Sequence, residues 1–212
     1  MNRIHQSTVA LVLALVSLAG CDYESRAVRD VNPARVADTK DAFRDLWVGH
    51  IFSVRNVVMS NATENPAARD AADKEVVVNI QQIASAIMPF YGKAASERLF
   101  TILIIGYGAV GEYSEATVAG NKRRQDAALA HLASNADDFA MFLSRLNPYL
   151  PEETVKALMA VHGAHHVLQI NQLQEKGYAH VGATWPAMRQ HVQILADTLT
   201  TALVKQFPNK FS

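Results

Sequence analysis

One polar side chain stands inside every long apolar stripe of this 212-residue chain, and the six recur at a near-constant interval. They are His50, Asn79, Tyr107, Asn135, His162 and His191, at successive spacings of 29, 28, 28, 27 and 29 residues. The stripes have helical period, with apolar positions three and four residues apart and no strand-like alternation of any length. Each spacing is one helix plus one turn, so the chain returns to mid-helix every time. In an up-and-down bundle, the middles of successive helices share one height. The expected fold is therefore all-α: an up-and-down bundle of about six antiparallel helices with a polar layer across its middle.

Proline, glycine and asparagine punctuate the stripes. Helix one is expected over Thr39–Met59, with Phe43, Trp47, Ile51, Val54 and Val58 inward. Pro66 suits the first turn of helix two, which runs to Met88, where Pro89 and Gly92 break it. Helix three covers Ala94–Val118 and stops at Gly120-Asn121; helix four covers Lys122–Leu146 and ends at Asn147-Pro148. Pro151-Glu152-Glu153 opens helix five with acids at its positive end, and Lys176-Gly177 closes it. Thr184 caps helix six, Pro186 sits in its first turn, and Phe207-Pro208 stops it. The stretch Ala72–Gly120 parallels Ala127–Gly177, which points to internal duplication.

Counting places each polar residue on the buried side of its helix. His50 lies between Trp47 and Val54, Asn79 between Val76 and Ile83, Tyr107 between Leu103 and Val110, and Asn135 between Leu132 and Phe139. His162 follows Leu158 by four, and His191 precedes Leu195 by four. A buried amide or imidazole without a partner costs about 1–3 kcal/mol. The six are therefore expected to meet each other, an ion or water. One reading is a hydrogen-bonded network that fixes register between helices. A second is a divalent transition metal (zinc, iron or copper) on His50, His162 and His191, with His166 a further candidate ligand. A third is an organic-ligand or catalytic pocket. The layer contains no carboxylate, and the Glu with Glu-x-x-His signature of di-iron bundles is absent.

Helix five carries a second cluster: His162, His165, His166 and Gln169. His162 and His166 have the four-residue spacing that lets two imidazoles share an ion. The run His-Gly-Ala-His-His lacks the glutamate of a zinc-protease helix. Gly163 is a poor helix residue, and a close helix contact or an approaching ligand would explain it. Gly106-Tyr107-Gly108-Ala109-Val110-Gly111 follows no strand, so it is read as close helix packing rather than a dinucleotide fingerprint. Glu112 and Glu115 are expected to be solvated, His165 to be at the surface, and Phe90-Tyr91 and Pro148-Tyr149 to plug gaps between helices. No catalytic residue is assigned. The expected role is a non-enzymatic binding or assembly protein, with a metal-binding bundle and a hydrolase or oxidase as alternatives.

The start of the chain constrains its address. Arg3 precedes an apolar run from Val9 to Leu18, then Ala19, Gly20 and Cys21 follow. Leu18-Ala19-Gly20-Cys21 resembles the lipobox of bacterial lipoproteins. The resemblance implies that residues 1–20 are a removed signal peptide and that Cys21 carries acyl chains, palmitate among them. Each buried CH₂ contributes about 0.8 kcal/mol of anchoring. Residues 21–37 are read as a lipidated tether and residues 38–212 as the bundle domain. The implied location is the bacterial cell envelope, lipid-anchored and facing the periplasm. Asp22 suggests the inner membrane, with the outer membrane an alternative.

Loss of Arg3 leaves 19 basic and 20 acidic side chains among the chain's 20 and 20. That balance, without a basic stripe, predicts no nucleic-acid partner. The expected partners are the membrane, through the anchor, and an envelope protein. Leu46-Trp47-Val48-Gly49-His50, Asn135 with Asn147-Pro148-Tyr149, and His191 with Lys205-Gln206-Phe207-Pro208-Asn209-Lys210-Phe211 are similar to the motifs of an uncharacterised bacterial helical-bundle family. The resemblance implies the fold and no activity. Its members carry histidine where this chain has Tyr107.

Overall fold

A computed structural model describes residues 30–212. The signal segment 1–20, Cys21 and Asp22 lie outside the described residues. Six helices follow in order: α1 Pro33–Ala62, α2 Pro66–Ala86, α3 Met88–Val118, α4 Lys122–Leu146, α5 Glu152–Gln174 and α6 Tyr178–Gln206. A short 3₁₀ turn, Pro208–Lys210, ends the chain. Three asparagines start helices by accepting a backbone N–H: Asn32 from Ala34, Asn65 from Ala68 and Asn121 from Arg124, at 3.0–3.1 Å. Pro33 and Pro66 occupy first-turn positions, where no donor is lost.

Two starts differ from expectation. Helix α1 begins at Pro33, so residues 33–37 belong to the bundle and not to a tether. The cap at Asn32 explains it, and the Asn32 N–H donates to the Phe211 carbonyl at 2.6 Å, tying one end of the domain to the other. Helix α6 begins at Tyr178, not at Thr184. The Thr184 hydroxyl stands 3.1 Å from Gln172 Oε1, a link across to α5 rather than a cap, and Pro186 lies inside the helix. Pro89 and Gly92 act as expected: Gly92 sits at φ 82°, ψ 176° and splits a first turn from the body of α3.

The connections reveal a threefold repeat of 56 residues. Glu64, Gly120 and Lys176 all adopt left-handed backbone, at φ 50°, 62° and 57°. The next residue in each case closes the same loop: Asn65 N–H to Ser60 O at 2.9 Å, and Asn121 to Ala116 and Gly177 to Gln172 at 2.8 Å. These are helix stops in which a left-handed residue lets the following N–H reach back to an orphan carbonyl. The unit is the hairpin, α1–α2, α3–α4 and α5–α6, and the parallel between Ala72–Gly120 and Ala127–Gly177 is part of it.

The hairpins close into a ring in which every helix packs on its chain neighbours and α6 packs on α1. Helices α1, α3 and α5 also meet one another, so they form the inside of the bundle. Trp47, Ile51, Ile80, Phe139 and Leu195 are fully buried there. The α6–α1 seam carries a two-pronged pair: Arg44 Nε and Nη2 reach Asp197 Oδ1 and Oδ2, both at 2.7 Å. The end of the chain seals one pole. Phe90 stacks on Phe211 at 5.8 Å, and the Tyr91 hydroxyl donates to Gln206 at 2.7 Å. Phe90 and Tyr91 are thus interhelical plugs. Tyr149 is not: it is half exposed, with Lys205 Nζ over its ring.

The repeated turn makes opposite expectations for two of its copies. Left-handed backbone costs a residue with a Cβ roughly 1–2 kcal/mol. Gly120→Ala should lower the urea midpoint and Lys176→Gly should raise it. Equal signs in the two unfolding curves would contradict the shared turn.

Candidate metal centre

The repeat stacks one inner and one outer position at the same level of each hairpin. The inner positions are His50, Gly106 and His162; the outer ones are Asn79, Asn135 and His191. Every outer side chain donates to a backbone carbonyl of its partner helix, one turn before the inner residue. Asn79 Nδ2 reaches Leu46 O at 3.0 Å, Asn135 Nδ2 reaches Ile102 O at 2.8 Å, and His191 Nε2 reaches Leu158 O at 2.9 Å. A helical carbonyl has a second lone pair for such a bond. Five of the six residues expected in the polar layer are buried at these equivalent positions.

Tyr107 is the exception. It lies one residue past the inner position, which on a helix is a rotation of about 100°. The side chain is half buried, and its hydroxyl donates to Asp73. Burial and that carboxylate hold the phenol above its ordinary range. Asp73 and Glu115 also pair with Arg69, and Arg124 reaches Glu115 as well, so Glu115 is held rather than simply solvated. Glu112 pairs with His131 at the surface.

The three outer bonds do different things for their inner neighbours. Asn79 has two polar atoms on one carboxamide. With Nδ2 held by Leu46, its Oδ1 accepts from His50 Nδ1 at 3.2 Å. That bond places the His50 proton on Nδ1 and leaves the Nε2 lone pair bare. At Gly106 the Asn135 carboxamide covers the backbone so closely that a Cβ would collide with its oxygen. A Cβ at Gly108 or Gly111 would meet nothing within 4 Å, so close packing explains only the first glycine of that run. His191 uses Nε2 on Leu158, and His162 Nδ1 is left without a partner.

His50, His162 and His166 converge. Their candidate ligand nitrogens all lie within 4.8 Å of one another, and all three residues are buried. The Nε2 atoms of His162 and His166 stand 3.3 Å apart. Two nitrogens bound to one tetrahedral zinc, each at about 2.0–2.1 Å, are separated by about 3.3–3.4 Å. Among the described residues, five buried side-chain polar atoms lack a partner. Three of them belong to Trp47, His162 and His166, and a fourth is Gln169 Oε1, one turn beyond His166. Buried polar groups are rarely unsatisfied, and Trp47, edge-on to the His162 ring, and the two histidines gather three such atoms in one part of the interior.

This set corrects the expected ligands. His191 is outside it, because its Nε2 is committed to the Leu158 carbonyl and its ring stacks 6.4 Å from that of His162. His166 takes its place, reaching inward from the turn after His162. The 56-residue repeat contains the signal for this: His166 is equivalent to Val54 and Val110, both core residues. His165 is half buried, 5.3 Å from the His191 ring, rather than at the surface.

Burial keeps the cluster uncharged. It pushes His50 down to about 4, against a partial rise from Asn79. It pushes His166 down to about 3, with the neighbouring imidazoles adding to the effect. His162 is held well below the ordinary range by the same causes. Neutral imidazole is the form that ligates metal.

The cluster borders a cavity of about 420 Å³ between α1, α3, α4 and α5. Leu103, Val110, Leu132, Ala136 and Met159 contribute to its walls, and no Asp, Glu, Lys or Arg lines it. Gly163 opens onto it. A Cβ there would rest at ordinary distance, 3.9 Å, from Leu132, so no helix contact demands the glycine. Its missing side chain leaves room in the cavity. Among the described residues no helix is long and apolar enough to cross a membrane. No protein-family model, curated protein or solved structure matches the chain.

The depressed histidines set an acid limit on the metal-free fold. The unfolded chain takes up protons at these imidazoles near pH 6.5, whereas folded His50 and His166 resist until about 4 and about 3. Stability is therefore full above pH 6.5 and falls as the pH drops through that window. The slope is about 1.4 kcal/mol per pH unit for each such histidine. Urea midpoints of the chelator-treated protein from pH 7.5 to 4.5 measure it; a flat profile would contradict a buried, neutral cluster.

Proposed function

We propose that this protein binds a divalent transition-metal ion, zinc being the best fit, through His50, His162 and His166. The 3.3 Å separation of the His162 and His166 Nε2 atoms carries the reading, because it matches the edge of a ligand tetrahedron. An all-imidazole donor set without thiolate or carboxylate suits zinc, copper or iron. The clasp on His50 supports it further: a metal-bound histidine ordinarily donates its other ring N–H to a fixed acceptor, and Asn79 is that acceptor. Three protein ligands would leave a tetrahedral ion one open position, and all three histidines line the cavity, which suits an open site rather than a closed structural one. The cavity wall offers no carboxylate as general base, which favours binding over acid–base catalysis. We read the domain as tethered to a bacterial envelope membrane by acyl chains on Cys21, so that the ion is held on the periplasmic side.

Elemental analysis of protein purified without added metal, then reloaded with zinc, should give one ion per chain. His50→Ala, His162→Ala and His166→Ala should each abolish stoichiometric binding, while His191→Ala retains it. Loss in the last variant alone would return His191 to the ligand set and overturn this assignment. Asn79→Ala should weaken zinc by about 10–100-fold without removing a ligand, measured by competition with a chromophoric chelator. For the anchor, Cys21→Ser should release soluble protein or leave an unprocessed precursor; normal membrane retention defeats that part of the reading.

A further inference from the structure

The cavity beside the three histidines is shaped for a ligand of definite chemistry. Its walls are predominantly apolar, from Leu103 and Val110 of α3 through Leu132 and Ala136 of α4 to Met159 of α5. At about 420 Å³ it falls in the range of small-molecule sites. One heavy-atom group fills about as much space as a water, about 30 Å³, so the cavity holds on the order of ten such groups. No Asp, Glu, Lys or Arg lines it, so a charged body would lose its hydration there with no ionic partner on the wall.

Charge decides the other end of the ligand. Three neutral imidazoles leave a bound divalent ion with its full double charge, and no Asp or Glu lines the cavity to offset it. An uncompensated charge in a low-dielectric pocket favours an anionic donor at the open coordination position. A donor that is anionic at one end and apolar along the rest satisfies both the ion and the wall.

We infer that the cavity between α1, α3, α4 and α5 receives the apolar body of a small monocarboxylate whose carboxylate coordinates the ion held by His50, His162 and His166. This rests on the metal reading above. The glycine at position 163 belongs to the same design, since a larger residue there would project into the space that the ligand's body takes. The ligand binds as the anion and no covalent bond is made or broken. The ion gains one oxygen donor and loses a water.

The test uses the full chain loaded with cobalt(II), whose visible absorption reports its ligands. Acetate and hexanoate are titrated as the two probes. Hexanoate should change the spectrum at a concentration at least tenfold below that of acetate, because each added CH₂ is buried. Ala136→Leu and Gly163→Leu, two separate ways of filling the cavity, should bind cobalt as the wild type does and lose the preference for hexanoate. Two variants are used so that one folding failure leaves the other to decide. Equal responses to acetate and hexanoate, or no response from cobalt-loaded protein, overturn the ligand proposal and leave the metal site standing. Absence of any cobalt spectrum from the wild type overturns both.

Discussion

A side-chain hydrogen bond onto the spine of the neighbouring helix organises the centre of this bundle. Asn79, Asn135 and His191 each sit on an outer helix and each donate to a carbonyl of the inner helix of the same hairpin. That carbonyl already serves its own helix, so the added bond uses a spare lone pair and disrupts nothing. Three consequences follow from one contact. The pair of helices is locked in register, because a slip of one residue removes the acceptor. A polar side chain is buried without the penalty of an unmet group. The inner residue one turn further on is brought to the same height as its counterparts in the other hairpins.

The candidate site arises where this repeated arrangement is not uniform. Asparagine can donate to the carbonyl and still accept from the inner residue, and in the first hairpin it orients His50. In the third hairpin the outer His191 spends Nε2 on the Leu158 carbonyl and makes no hydrogen bond to His162. His162 is left with an unpartnered nitrogen beside His166. In the middle hairpin the inner residue is Gly106, whose missing side chain makes room for the Asn135 carboxamide, and the cavity lined by α3, α4 and α5 lies beside it. Three copies of one motif thus yield an oriented imidazole, an under-satisfied pair of imidazoles and a cavity, all at one level. Burial keeps those imidazoles neutral, which is also the form in which they bind metal.

Much of this was legible in the chain. The helical period located six helices, and the spacings of His50, Asn79, Asn135, His162 and His191, one or two helix-plus-turn units each, put them all at mid-helix. Tyr107 misled for a simple reason. Position 106 is a glycine, which has no side chain to register as a polar residue, and the next residue happened to be polar. Thr184 misled because a threonine followed closely by proline reads as a helix start, while the Gly177 turn had already started the helix by the same backbone geometry as its two counterparts. His166 was visible as the i+4 partner of His162. Its rank above His191 was not, since spacing along a chain does not say which acceptor a ring nitrogen has already found.

The amino-acid sequence by itself determined that residues 30–212 are all-α, how many helices they form, and most of the side chains that face inward, because helix period and turn chemistry act over a few residues. Only the tertiary structure decided which of the inward polar groups meet. That choice depends on hydrogen bonds made between helices, which commit His191 to the Leu158 carbonyl, orient His50 through Asn79, and bring His50 of α1 beside the His162–His166 pair of α5.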